Sequence, residues 1–263
     1  MSLPLELSWK EATQLAGQTA VLTGCASGIG RATAQQFAAA GVKVYAGDVN
    51  TTEGQATVET IRRNGGEAEF IPLDLTQPAS IDAFVDEVKQ RSGGGIDIIA
   101  SIAGIDRIEP FLQNTPDLWD RIIAVNYVGP VRMIHRLLPT LIERNKGGRI
   151  ITISSDAGRV GSTGETFYSG SKGAVISFTK ALAREMARYG IKCNCIAPGP
   201  TDTPLFTVAM EAKLRESLVK AIPLRRMASP VEIANLVLFF ASPAADYITG
   251  QVLSVSGGLT MHG

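Results

Sequence analysis

The chain has 263 residues, 45% hydrophobic and 19% charged, which is enough apolar material for a sizeable core and excludes a disordered or repetitive chain. Its 25 basic residues offset 25 acidic ones, so no overall field directs it to nucleic acid or to a membrane surface. Met1 to Glu6 lack a basic start leading into an apolar run, the apolar stretch at 233–241 is too short to span a bilayer, and Cys25, Cys193 and Cys195 lack metal-ligand spacing. The expectation is a soluble cytoplasmic protein with reduced cysteines and no metal.

A short polar lead at 9–16 precedes a regular alternation. Apolar, β-branched runs at 19–23, 42–46, 67–73, 96–102, 149–154, 191–197 and 251–255 read as strands. Between them, helical periodicity marks 30–40, 51–64, 79–91, 117–145, 166–189 and 230–241. Strands alternating with helices imply βαβ units. The expected fold is therefore α/β: a doubly wound, Rossmann-type, seven-stranded parallel sheet with helices on both faces. The glycines at 93–95 make too short a linker to divide it, so residues 1–263 are expected to form one domain. Cys193 and Cys195, two apart on the sixth strand, share one face as small buried hydrophobes.

The first strand runs into Thr23-Gly24-Cys25-Ala26-Ser27-Gly28-Ile29-Gly30, directly before a helix. Glycines there permit a tight turn and let backbone N–H groups approach a phosphate, while the helix N-terminus favours an anion. Gly24, Ser27, Gly28, Ile29 and Gly30 are thus expected to hold a dinucleotide. Asp48 follows the second strand, where a carboxylate accepts hydrogen bonds from both ribose hydroxyls and repels a 2′-phosphate. Neither Ser27 nor Val49 supplies a cation to offset that repulsion, so NAD is expected over NADP.

Past the fifth strand, Tyr168-Ser169-Gly170-Ser171-Lys172 sets a phenol and an ammonium four residues apart on one helix face. A nearby fixed cation favours the phenolate, which would bring a poor base towards the working pH. The pair is a candidate general acid/base for a substrate oxygen. His135 and His262 have no ligand spacing.

Together the Thr-Gly-x-x-x-Gly-x-Gly loop and the Tyr-x-x-x-Lys pair resemble the short-chain dehydrogenases/reductases, over essentially the whole chain from about Leu15 to Leu259. The resemblance implies roles for further residues. Asp74 and Leu75 match the pair that contacts adenine. Asn126 matches the asparagine that holds a relay water near the lysine. Ser155, thirteen residues before Tyr168, matches the serine that hydrogen-bonds the substrate oxygen. Pro198, Gly199, Thr201 and Thr203 match the segment around the nicotinamide carboxamide and phosphate, and Lys172 also holds the nicotinamide ribose. The fourth strand departs from the pattern: Ser101-Ile102-Ala103-Gly104 stands where the family has Asn-Asn-Ala-Gly. Ala103 and Gly104 keep the small residues next to the cofactor, while the hydrogen bonds of the two asparagines must be replaced or lost.

The implied activity is NAD-dependent interconversion of a secondary alcohol and a ketone. The substrate pocket is expected from 105–110, 156–166 and 200–222, the last resembling a substrate lid with Leu205, Phe206, Val208, Met210, Leu214 and Leu218 at near-helical spacing. Stretches at 154–165, 198–203, 220–224 and 250–261 resemble family members that act on alicyclic β-hydroxyacyl-CoA thioesters. Lys213, Arg215, Lys220, Arg225 and Arg226 are then candidates for the CoA phosphates, or else form a solvated helix face. A non-CoA alcohol or a 3-oxoacyl-carrier-protein substrate stays open. A dinucleotide-binding protein without turnover is disfavoured, because both Tyr168 and Lys172 are kept. The resemblance also implies a homotetramer.

Overall fold

The computed structural model describes residues 13–204 and 212–261. All seven expected strands are present: β1 (Thr19–Thr23), β2 (Lys43–Asp48), β3 (Ala68–Pro72), β4 (Ile98–Ser101), β5 (Gly148–Ile153), β6 (Ile191–Pro198) and β7 (Val252–Val255). They pair in parallel in the order β3-β2-β1-β4-β5-β6-β7, so the chain reverses its direction of winding between β1 and β4. In open sheets of this kind the ligand crevice lies beyond the strand C-termini at that switch point.

Helices cover both faces. On one side α1 (Gly28–Ala39), α2 (Thr51–Arg63) and α9 (Pro230–Ala241) meet Ala20 and Leu22 of β1. On the other, α3 (Pro78–Ser92), α5 (Gly129–Glu143) and α7 (Thr166–Met186) meet Val21, the residue between them. That alternation is the two-residue period of a strand buried on both sides. Cys25, Cys193 and Cys195 are free and buried, and burial pushes the Cys25 and Cys193 thiols up to about 12, so they pack as small apolar groups.

The helix expected over 117–145 is divided. α4 (Pro116–Ile123) passes into a π-helical turn at Ala124–Val128 before α5 begins. Gly129 N–H donates to Ala124 O, five residues back. Pro130 follows and has no N–H to offer the Asn126 carbonyl. A Cβ on Gly129 would lie 2.4 Å from Leu75 O, so the helix needs glycine there to lie against that strand end. The helix expected to reach 189 ends at Met186, with a 3₁₀ turn at Ala187–Tyr189 and a left-handed Gly190.

A four-residue turn, α6 (Ala157–Val160), and α8 (Ala212–Ala221) complete the helices among the described residues. Leu205, Phe206, Val208 and Met210 of the expected lid lie outside the described residues, as do residues 9–12 of the lead, His262, and the side chains of Lys213 and Leu214. The base of the lid segment is stapled by a bridge between Thr201 and Ala228, with Asp202 N donating to Ala228 O at 2.9 Å and Ala228 N to Pro200 O at 3.0 Å.

At the end of β4, where the Asn-Asn pair is absent, the backbone donors still find a partner. Thr23, fully buried at the end of β1, accepts hydrogen bonds at its Oγ1 from Ile102 N (3.0 Å) and Ala103 N (3.1 Å). One hydroxyl thus ties the two central strands where the cavity begins. Replacing Thr23 by Val keeps the shape and strands both donors, so we expect a loss of roughly 1–3 kcal/mol. Urea unfolding reads it, and an unshifted midpoint would refute the account.

Candidate active site

A cavity of about 1190 Å³ opens over the strand C-termini. Every residue expected to touch a dinucleotide lines it: Gly24, Ser27, Gly28, Ile29, Gly30, Asp48, Asp74, Leu75, Ala103, Gly104, Tyr168, Lys172, Pro198, Gly199, Thr201 and Thr203. Ser155 lines it too. Asn126 does not; it lies in the wall behind.

At one end, the glycine loop is built for close approach. A Cβ on Gly30 would fall 1.9 Å from Gly24 O, and one on Gly24 would fall 2.9 Å from Ala103 Cα. Ser27 stands at the N-cap of α1 without a side-chain capping bond, and the first turn carries no acidic residue, so the helix presents unpaired N–H groups to the cavity. Asp48 is oriented by two backbone donors, Ala26 N and Asn50 N, each at 2.9 Å. The neighbouring cation, Arg31, is bound to the Ala26 carbonyl and to Glu53 at 2.6 Å. Asp74 is held by Thr76, whose N and Oγ1 both donate to its Oδ1 at 2.9 and 2.7 Å. These residues fit a nicotinamide dinucleotide: the α1 N-terminus suits an anion, and a carboxylate oriented like that of Asp48 suits a pair of hydroxyls.

At the other end, α7 presents Tyr168 and Lys172 one turn apart. Lys172 is only 3% exposed. Its Nζ donates to Ile153 O at 3.0 Å and stands 5.7 Å from the centroid of the Tyr168 ring. A Cβ on Gly104 would lie 3.1 Å from that Nζ and 3.3 Å from Asn126 Oδ1, so glycine leaves the room that both groups occupy. Asn126, in the π-helical turn, exchanges hydrogen bonds with the backbone of Ile105: Ile105 N donates to its Oδ1 at 2.8 Å, and its Nδ2 donates to Ile105 O at 2.9 Å. Nδ2 also reaches Ser171 Oγ at 3.2 Å. Ser155 Oγ accepts from Ala157 N at 3.1 Å and hydrogen-bonds the Tyr168 phenol.

The electrostatics correct one expectation. Burial, not the lysine, dominates the phenol: it holds Tyr168 above its ordinary value, Asp106 and Glu165 add to the push, and the Ser155 hydrogen bond opposes it. Burial also pushes the Lys172 ammonium down, to about 8. Burial and the hydrogen bond with Glu165 raise the Asp106 carboxyl to about 8.

Sequence reasoning missed several lining residues. Asp106 and Glu165 fell within expected pocket segments but carried no motif, and they meet only through the fold. Asp120 and Arg121 of α4, with Leu259 and Thr260 of the C-terminal tail, also line the cavity and had no local signal. The cations offered for CoA phosphates are largely engaged. Arg215 pairs with Asp202 at 2.9 Å, Lys220 with Glu216 at 2.6 Å and Arg226 with Glu232 at 2.6 Å, while Arg225 binds the Lys220 carbonyl. Among the described residues no cluster of three or more His, Cys, Asp or Glu suits a metal, and no helix is long and apolar enough to cross a membrane.

A family profile described as enoyl-(acyl carrier protein) reductase matches residues 24–260. The chain is 36% identical to the 3-oxoacyl-[acyl-carrier-protein] reductase of Thermotoga maritima, over 94% of this chain and 100% of that one. It is 35% identical to galactitol 2-dehydrogenase of Agrobacterium fabrum, over 93% and 98% of the two chains. A crystal structure of a short-chain type dehydrogenase/reductase from Mycobacterium marinum superposes with a TM-score of 0.89 at 32% identity, covering 94% of this chain and 97% of that one.

Between about pH 8 and 10.5 the folded state binds fewer protons at Lys172 than the unfolded chain does, so stability gained from this group rises with pH there. The cost of burying the ammonium is full below pH 8. Lys172→Met is therefore expected to be more stable than the parent at pH 7, by up to about 3 kcal/mol. That advantage should narrow towards pH 10 in paired urea titrations; an advantage independent of pH would contradict it.

Proposed function

Because the chain belongs to the short-chain dehydrogenase/reductase family, we propose that it interconverts a secondary alcohol and a ketone with NAD as cofactor. The observation that carries this reading is the convergence of Ser155, Tyr168 and Lys172 on one cavity with the glycine loop and Asp48 at its other end. When bound, the nicotinamide supplies the two-electron step as a hydride acceptor or donor.

The protein's own residues handle the proton. In oxidation the Tyr168 oxygen takes the carbinol proton; in reduction it returns one to the carbonyl oxygen. Ser155 Oγ accepts from Ala157 N–H, and its own hydrogen, which otherwise favours the Tyr168 phenolate, would turn to the substrate oxygen as negative charge develops there. Lys172 holds positive charge over the Tyr168 ring and would bind the nicotinamide ribose. Asn126 anchors the loop at Ile105 and links Lys172 to a relay water. Burial holds the phenol protonated, and because oxidation of the alcohol releases a proton, that direction gains as pH rises.

NAD is preferred to NADP because Asp48 is fixed by two backbone donors while the adjacent Arg31 is engaged by Glu53. Asp74 and Leu75 contact the adenine, Ala103 and Gly104 let the cofactor lie close, and Pro198, Gly199, Thr201 and Thr203 hold the nicotinamide end. The chain is read as one NAD-binding domain with a substrate lid over 200–222, working in the cytoplasm as a homotetramer on a small molecule, without nucleic acid or membrane.

A second reading, a cyclic β-hydroxyacyl-CoA, is favoured by the stretches that resemble 2-hydroxycyclohexanecarboxyl-CoA dehydrogenase. Against it, the candidate cations for the CoA phosphates are mostly ion-paired.

Tyr168→Phe is expected to lower turnover roughly a hundred- to ten-thousand-fold while NADH still binds within a few-fold of wild type. Undiminished turnover in that variant would remove the proposed mechanism. With NAD⁺ and NADP⁺ compared on one alcohol, kcat/KM should favour NAD⁺, and Asp48→Ser should erode the preference. A wild-type preference for NADP⁺ would overturn the assignment.

A further inference from the structure

The two loops that close the substrate end of the cavity each bring a carboxyl group to it. Asp106 follows β4 and Glu165 immediately precedes α7; both line the cavity with Ser155 and Tyr168. The two side chains are within hydrogen-bonding reach of each other.

Their meeting is built into the fold. Glu109 N donates to Gly164 O at 2.9 Å, which joins the loops beside the pair. Gly164 has φ +80°, which favours glycine, and a Cβ there would press on Ile108 at 3.1 Å, so glycine suits the close approach of the loops. Asn114 Nδ2 holds Glu109 Oε1 at 3.0 Å. The guanidinium next in sequence to Asp106, that of Arg107, is drawn off to Glu109 at 2.9 Å and does not neutralise the pair. Two cations line the cavity among the described residues, Lys172 and Arg121. Lys172 donates to the Ile153 carbonyl, and Arg121 is exposed.

Two carboxyls in contact do not both ionise cheaply, so they retain one proton between them. That proton is spent inside the pair. Arg107 N–H takes one lone pair of Asp106 Oδ1 at 2.7 Å. The other oxygen lone pairs of the two carboxyls carry net negative charge at the cavity wall, and what such a surface binds is a hydrogen-bond donor. A hydroxyl qualifies. A thioester carbonyl or an acyl chain has no donor, and a free carboxylate is repelled.

We propose that Asp106 and Glu165 act together as the specificity pair of this enzyme, accepting hydrogen bonds from a hydroxyl adjacent to the reacting carbinol, so that neutral polyhydroxy alcohols are its substrates. This rests on the alcohol–ketone reading above and narrows its substrate class. The similarity to a galactitol dehydrogenase is compatible with it, as that relative's named substrate is a polyol.

The test measures kcat/KM with NAD⁺ for galactitol and xylitol, for 2-hexanol and 2-pentanol, and for 3-hydroxybutyryl-CoA. Wild type is compared with Asp106→Asn and Glu165→Gln, and NADH fluorescence confirms that each variant still binds dinucleotide. Wild type should favour at least one polyol over its monohydroxy counterpart by about tenfold or more, and each variant should lose most of that ratio, chiefly through KM. A wild-type preference for the monohydroxy alcohols or the thioester would overturn the proposal and leave the oxidoreductase reading standing. So would a polyol ratio unmoved in both variants. Absence of turnover with every alcohol and with the matching ketones, in protein that binds NADH, would instead defeat the oxidoreductase reading and this proposal with it.

Discussion

A buried ammonium governs this site. Lys172 is driven out of water by the packing of α7 against β5, and it keeps one hydrogen-bond partner at the strand end, the Ile153 carbonyl. Such a charge costs stability wherever it is not matched, and proteins retain these costs where chemistry uses them. Its surroundings follow from accommodating it. Gly104 must lack a side chain, Asn126 must sit at the same small residue, and the Tyr168 ring must lie beneath the ammonium. The expectation that the lysine would lower the phenol was incomplete because it treated the pair as if in isolation. Burial raises the phenol and lowers the ammonium together, so the protein alone holds the tyrosine as an acid.

The backbone irregularities serve the same end. Helix α4 passes through a π-helical turn, where Gly129 bonds five residues back and Pro130 offers no donor. The irregularity brings Asn126 against Ile105, tying a helix to the loop after β4. At the start of that loop, Thr23 ties β1 to the end of β4. A single hydroxyl accepting two N–H groups leaves neither backbone donor stranded there.

Most of the fold was legible in the sequence because parallel strands buried on both faces are long apolar runs, and the helices between them show clear periodicity. All seven strands were placed to within one or two residues at each end. The placement of the glycine loop and Asp48 at the cavity was legible because glycine spacing and a strand-end carboxylate are local signals. What escaped had no local signal. The π-helical turn looks like ordinary helix until the missing N–H of Pro130 is noticed. Asp106 and Glu165 are unremarkable as single residues; their meeting depends on Gly164 admitting one loop against the other. The ion pairs that engage Arg215 and Lys220 are likewise a matter of which neighbour each side chain finds.

The bridge between Thr201 and Ala228 has a further consequence. It fixes both ends of the excursion that contains α8; Gly199 and Pro200 sit outside that closure, while Thr203 lies just within it. Chain length inserted into such a clamped arc costs closure entropy that grows only logarithmically, about 0.6 kcal/mol for each doubling. The arc is therefore modular. Evolution or an engineer can exchange it for a longer or shorter one, while the cavity wall built by Ser155, Tyr168 and Lys172, which lies outside the arc, keeps its shape.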